Sequence, residues 1–244
     1  RFFSKLIKKF FIIDKIKKEL FVQNIRDKYD ILTVFEIFAE EDYSLKKFKN
    51  WHNINKSYDE IINNNFAPLI IDCGSNIGCS SEYFYRLFNK AHLIMIEPNL
   101  KSLDFSKKNV SFSKFELLNH AVSSENKNLS LDISSDDNRS SRVNEDGQIK
   151  IESVTIDDLV LKNKNNCKPF IIKIDIEGFE SDLFKKNCEW IEFFEVIIIE
   201  LHDWMLPGKS NSFNFLNSLV ETMKKNSKRD LLISGENLIL IKNK

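Results

Sequence analysis

Glycine and proline are scarce in this chain, at 6 and 4 of 244 residues. Collagen-like, linker-rich and low-complexity classes need far more of both. Four cysteines (Cys73, Cys79, Cys167 and Cys188) form no CxxC pair, and none adjoins a histidine. Neither a zinc site nor a disulfide framework is expected, and a reducing, cytoplasmic compartment is the simpler reading. Net charge is absent too, since 36 basic residues balance 36 acidic ones. A general nucleic-acid binder carries a positive excess, so no nucleic-acid partner is expected. No run of about 18 apolar residues occurs, so no membrane span is expected. The chain begins with Arg1 rather than Met, as a fragment would, which leaves open a targeting segment ahead of it.

What is present is a 42% hydrophobic chain rich in phenylalanine (21 residues), able to bury a sizeable core. Its charge is uneven. Residues 1–20 hold seven basic groups and two acidic ones, leaving 29 basic and 34 acidic groups in the rest. Phe3, Leu6, Ile7, Phe10, Ile13 and Leu20 fall on one side at helical spacing, with Lys5, Lys8 and Lys15 opposite, which predicts a basic amphipathic helix. Such a helix either anchors peripherally on anionic lipid or packs on the domain or a second subunit, as in a homodimer. Residues 22–64 also read as helical. Residues 1–60 are therefore expected as a helical N-terminal extension, and 61–244 as the main domain.

From Pro68 onward short apolar runs alternate with helical stretches. Leu69–Ile71, Leu93–Ile96, Phe170–Ile174 and Val196–Leu201 read as buried strands. Phe115–Val122, Leu129–Ile133 and Ile149–Val154 read as further strands. Ser80–Phe88, a stretch ending near Lys108, a short helix begun by Thr155, Glu180–Asn187 and Phe213–Lys225 read as helices. Leu231–Ile233 and Leu238–Ile241 flank Ser234-Gly235-Glu236-Asn237 as a hairpin. This order predicts an α/β fold with a doubly wound, mostly parallel sheet and an antiparallel C-terminal hairpin. The polar stretch Ser134–Gly147 is a surface loop or a loop over the site.

Ligands of such sheets bind at the carboxyl ends of the strands. The first strand ends in Asp72-Cys73-Gly74-Ser75-Asn76-Ile77-Gly78, whose glycines allow a sharp turn close to a ligand. It is neither GxGxxG nor a P-loop. Glu97, at the second strand end, lies 19 positions beyond Gly78, near the spacing at which an acid grips a ribose diol. The third end, Lys173-Ile174-Asp175-Ile176-Glu177-Gly178-Phe179-Glu180, puts three acids within six residues, a repulsion that a cationic ligand, a metal or Lys173 could offset, unless the acids simply start a helix. The fourth, Glu200-Leu201-His202, adds a general-base candidate expected beside Asp175.

Taken in order, IIDCGSNIG, IEPN, NHAVS, VTIDDL, KIDIEGFE and IIIELH resemble the FkbM-type S-adenosylmethionine-dependent methyltransferases over about residues 68–204. The resemblance implies a class I methyltransferase, Rossmann-like fold that methylates hydroxyls of sugars, glycans or other natural products. By it, Asp72, Gly74, Ser75, Asn76 and Gly78 would line the methionine part of S-adenosylmethionine. Glu97, with Pro98 beside it, would hold the ribose hydroxyls, and the stretch Asn119 to Ala121 would border the adenine. Asp175, Glu177 and His202 would face a small-molecule or glycan acceptor, with Asp175 or His202 as base. Asn76 stands where many class I enzymes have glycine. A metal-assisted variant through Asp175 and Glu177 is not favoured, because no third carboxylate ligand is identifiable. The alternatives are a nucleic-acid or protein methyltransferase, disfavoured because DIEG stands where NPPY would, and a non-enzymatic module with a vestigial cofactor site.

Overall fold

The computed structural model describes residues 8–14, 17–132, 142–144 and 149–243. Most of the Ser134–Gly147 stretch therefore lies outside the described residues. The first described element is a hairpin rather than the basic helix expected over residues 1–20. β1 (Lys9–Asp14) pairs antiparallel with β2 (Glu19–Asn24). The reason is local. Phe10-Phe11-Ile12-Ile13 and Leu20-Phe21-Val22 are aromatic and β-branched runs, which suit a pleated surface better than a helix. Their burial alternates with period two: Phe10 and Ile12 pack on the core, while Phe11 and Ile13 are exposed. Gln23, Asn24 and Asn109 tie the hairpin to the body through hydrogen bonds of 2.6–3.1 Å.

Two helices follow, as expected for this stretch. α1 (Lys28–Phe38) starts at Asp27, whose carboxylate accepts from the Tyr29 and Asp30 amides. α2 (Trp51–Asn63) follows it. Val34 and Ile37 of α1, Ile54 of α2, and Tyr43 and Leu45 between them are buried in the same cluster as the sheet residues Ile70, Leu93 and Ile171.

The alternation then begins: β3 (Ala67–Cys73), α3 (Cys79–Leu87), β4 (His92–Ile96), α4 (Leu100–Ser106) and β5 (Phe115–Leu118). A break at Asn119-His120 ends β5, so the single strand expected over 115–122 is two. β6 (Ala121–Val122) joins a small second sheet, with β7 (Asn128–Asp132), β8 (Arg142–Asn144) and β9 (Ile149–Val154), in the order β6-β9-β7-β8. After it come α5 (Ile156–Asn163), capped by Thr155, then β10 (Cys167–Ile174), and α6 (Glu180–Leu183), which stops short of the expected Asn187. β11 (Val196–Glu200), α7 (Phe213–Lys225), β12 (Arg229–Ser234) and β13 (Asn237–Lys242) complete the chain.

The main sheet runs β12-β13-β11-β10-β3-β4-β5, with β13 antiparallel to both its neighbours and the remaining neighbours parallel. Its core strands are apolar on both faces because helices cover both. α1, α2 and α3 pack on one face; α5, α6 and α7 pack on the other. The strand order reverses between β3 and β10, where a ligand crevice is expected.

At that reversal the backbones nearly touch. Gly74 holds φ +79°, and a Cβ there would lie 1.8 Å from the Asp175 carbonyl oxygen. Gly208 also has a positive φ, +81°, but a Cβ there meets nothing within 4 Å. Gly74→Ala should therefore cost more than about 2 kcal/mol in urea unfolding, and Gly208→Ala about 1 kcal/mol. Equal losses would show that crowding against Asp175 does not matter.

Candidate active site

A cavity of about 530 Å³ opens at the carboxyl ends of β3, β4, β10 and β11. Its size lies in the range of small-molecule sites. Of the residues singled out in the sequence, Gly74, Ser75, Asn76, Glu97, Pro98, Ala121, Asp175, Glu177 and His202 line it. Asp72, Gly78 and Asn119 do not line it; they stand behind the wall. Asp72 is fully buried and accepts from the Ser80 and Ser81 hydroxyls at 2.6 and 2.5 Å. Gly78 closes the turn by donating its amide to the Ser75 carbonyl. Asn119 donates its side-chain amide to the Glu97 and Pro98 carbonyls at 3.0 and 2.8 Å. His120, rather than Asn119, faces the cavity.

On the β3–β4 side, the turn after β3 rests on the end of β4. The Gly74 and Ser75 amides donate to the Ile96 carbonyl. Asn76 adopts φ 44°, and its amide donates to Glu97 Oε2 at 2.9 Å, while the Asn99 amide donates to Oε1 at 2.9 Å. Burial of Glu97 pushes its carboxyl up to about 7, against the pull of these two amides. Ser75 Oγ is buried in this wall with no hydrogen-bond partner.

On the β10–β11 side, Lys173, Glu180 and Glu200, charged groups of the two strand-end segments singled out in the sequence but not named there as site residues, carry the arrangement. Lys173 is 2% exposed and spans the crevice. Its ammonium lies 3.3 Å from Asp72 Oδ1 and 3.2 Å from Asp175 Oδ2, and it donates to the Gly74 carbonyl at 2.8 Å. Burial alone would strip its proton, but Asp175 and Asp72 override it and hold the pKa well above the usual lysine value. Glu180 and Glu200 flank His202. The imidazole Nδ1 lies 2.9 Å from Glu180 Oε1, and Nε2 lies 3.3 Å from Glu200 Oε1 and 3.7 Å from Asp175 Oδ1. Burial lowers the His202 pKa, yet hydrogen bonds to Glu180 and Glu200 and the Glu180 and Asp175 charges raise it to about 11. His202 therefore holds its proton at neutral pH. Of the two base candidates, His202 is thereby removed as a neutral base. The three crowded acids of the KIDIEGFE segment are thus divided: Asp175 to Lys173, Glu180 to His202, and Glu177, at φ 54°, to the cavity wall.

The signal for Lys173 and Glu200 was their position, each a charge in an otherwise apolar strand. Tyr43 had no such signal. It comes from the segment between α1 and α2, lines the cavity and feels the Lys173 and Asp175 charges, and burial raises its phenol pKa. Thr33, Glu36 and Asp42 reach the cavity from the same region, and Arg26 donates to the Asn76 side-chain oxygen at 3.0 Å.

Removing Lys173 leaves two carboxylates unpaired at the crevice. Lys173→Met should cost about 3–5 kcal/mol in urea unfolding. Adding Asp72→Asn should recover part of that loss, and a further loss instead would contradict the pairing.

The profile of the methyltransferase FkbM domain family matches residues 72–228, more than half of the chain. A hexuronic acid methyltransferase, AglP of Haloferax volcanii, is 24% identical over 205 residues, covering 81% of this chain and 72% of that protein. Among solved structures, an O-methyltransferase from Bacillus cereus in complex with SAH matches at TM-score 0.40 and 11% identity, over 90% of this chain and 92% of that one. A methyltransferase from Geobacter sulfurreducens matches with the same score, identity and coverage. This chain belongs to the FkbM family of methyltransferases.

Proposed function

We propose that the methyl donor is S-adenosylmethionine and that the acceptor is a hydroxyl of a sugar or glycan. The observation that carries this reading is one cavity bounded by the Gly74–Asn76 turn with Glu97 on one side and by Asp175 with its charged neighbours on the other. The residues fit the cofactor. Ser75 Oγ has unmet hydrogen-bonding capacity in the wall. Glu97 can accept the two ribose hydroxyls on its remaining lone pairs, and Pro98, His120 and Ala121 offer a surface for the adenine. The sugar reading leans on the Haloferax relative's name and on Trp204, a 67% exposed indole at the cavity that can stack on a pyranose face.

When bound, the cofactor supplies an electrophilic methyl on a sulfonium. The chain's own residues position the acceptor and handle its proton. Asp175 Oδ1 would take the proton of the acceptor hydroxyl as the methyl is transferred to its oxygen. Lys173 holds the other oxygen of Asp175 and so fixes the carboxylate's angle. His202 stays protonated and anchors Glu180 and Glu200. Positioning of this kind supplies much of the rate enhancement in transfers to a poor nucleophile.

Melting with S-adenosylmethionine or S-adenosylhomocysteine at about 100 times the dissociation constant should stabilise the fold by about 2.7 kcal/mol. Asp175→Asn should keep that shift while methylation of hydroxylated glycosides falls by about a hundredfold or more. A folded protein that shows no shift at millimolar ligand would overturn the cofactor assignment. Because Glu97 ionises near pH 7, affinity for S-adenosylhomocysteine should rise about tenfold from pH 6 to pH 8 and level off above. Calorimetry on Glu97→Gln should show no such rise; an unchanged rise would take the ribose role from Glu97.

A further inference from the structure

Asp175, Glu200 and His202 each turn one donor atom to a common point in the cavity wall, and these atoms all lie within 4.8 Å of one another. Cis ligands of an octahedral cation with bonds of about 2.1 Å stand about 3 Å apart. The spacings of Nε2, 3.3 Å to Glu200 and 3.7 Å to Asp175, need less than about 1 Å of contraction to reach that. Two of the three donors, Asp175 and His202, are already oriented by a group outside the set. Lys173 takes the other oxygen of Asp175. Glu180, fully buried, takes Nδ1 of His202 and is held in turn by the Asn211 side-chain amide. A carboxylate on the far nitrogen is the usual way a ligating imidazole is aimed.

A separate observation comes from the neighbouring strand. Asn237 stands directly across the ladder from Glu200, is 4% exposed and lines the same cavity. Its Oδ1 is buried and accepts no hydrogen bond. An orphaned, buried amide oxygen on a cavity-lining residue calls for a cation or a hydroxyl. Charge agrees: among the described residues, the ion pairs of Asp72, Asp175, Glu180 and Glu200 are with Lys173 and His202.

We infer that Asp175, Glu200 and His202, with Asn237 Oδ1 beside them, form a site for a divalent cation of the Mg²⁺ or Mn²⁺ class. The mixed carboxylate, amide and imidazole set suits such ions. With the cation bound, Nε2 of His202 would be a ligand in place of carrying a proton, and Asp175 would hold the cation instead of acting as the base. The cation's part in the reaction rests on the methyl-transfer reading: it would hold the acceptor hydroxyl and ease the loss of its proton.

The test uses the whole chain, stripped with a chelator and titrated with MnCl₂, reading free Mn²⁺ by electron paramagnetic resonance without cofactor. One bound Mn²⁺ per chain is expected. Glu200→Gln and Asn237→Ala, each checked for native melting, should weaken binding tenfold or more, while the surface control Glu221→Gln should not. No binding at millimolar Mn²⁺, or binding indifferent to Glu200→Gln and Asn237→Ala, overturns the site. S-adenosylhomocysteine binding, measured separately, tells this failure from a failure of the cofactor reading.

Discussion

The site is organised around a lysine buried away from solvent. Lys173 sits in the middle of the main sheet, directly across the ladder from Asp72, and its ammonium is shared by Asp72, Asp175 and the Gly74 carbonyl. A buried ion pair is seldom the most stable choice, because desolvation consumes most of the Coulombic gain. What it supplies here is geometry. The β3 turn on one side of the cavity and the β10 end on the other are tied to one atom. Gly74, packed against the Asp175 carbonyl, removes the remaining slack between them. The two cavity walls are therefore held at a fixed separation, which is what the proposed in-line transfer would require.

How much of this could be read from the residues depended on the kind of signal. Buried parallel strands announce themselves as apolar runs, and the runs at Leu69, Leu93, Phe170 and Val196 all became strands of the main sheet. Their ends named most of the cavity wall. The hairpin of β1 and β2 was misread because four successive apolar residues, Phe10 to Ile13, satisfy a helical stripe and a strand alike. Only the β-branched content and the polar turn between the runs separated the two. The break at Asn119 was invisible for a different reason. It follows from a tertiary demand, the side-chain amide bonding back to Glu97 and Pro98, and local propensity says nothing of it.

The partnering of charges was the least legible part. Sequence proximity grouped Asp175, Glu177 and Glu180 as one acidic cluster, whereas the turn at Glu177 and Gly178, both at positive φ, sends them to different partners. It also hid the contribution of the first sixty residues. Tyr43 and Thr33 reach the cavity, and Arg26 braces Asn76, because α1 and the chain after it pack over the open end of the sheet. No spacing rule relates Tyr43 to Lys173, 130 positions on. Only the packing does.

The protonation pattern then decides which residues can do which work. His202 is surrounded by three carboxylates and is 2% exposed, so its proton is held by the site itself. A histidine so placed cannot serve as a neutral base. It can serve as a fixed positive charge, or as a ligand once a harder cation displaces the proton. Asp175 differs: one oxygen is committed to Lys173 and the other looks into the cavity beside His202. The same carboxylate can therefore be held rigid and still meet an incoming hydroxyl. In the methyl-transfer reading proposed above, the acid at the end of β10 would carry the proton chemistry and the buried charges around it the alignment.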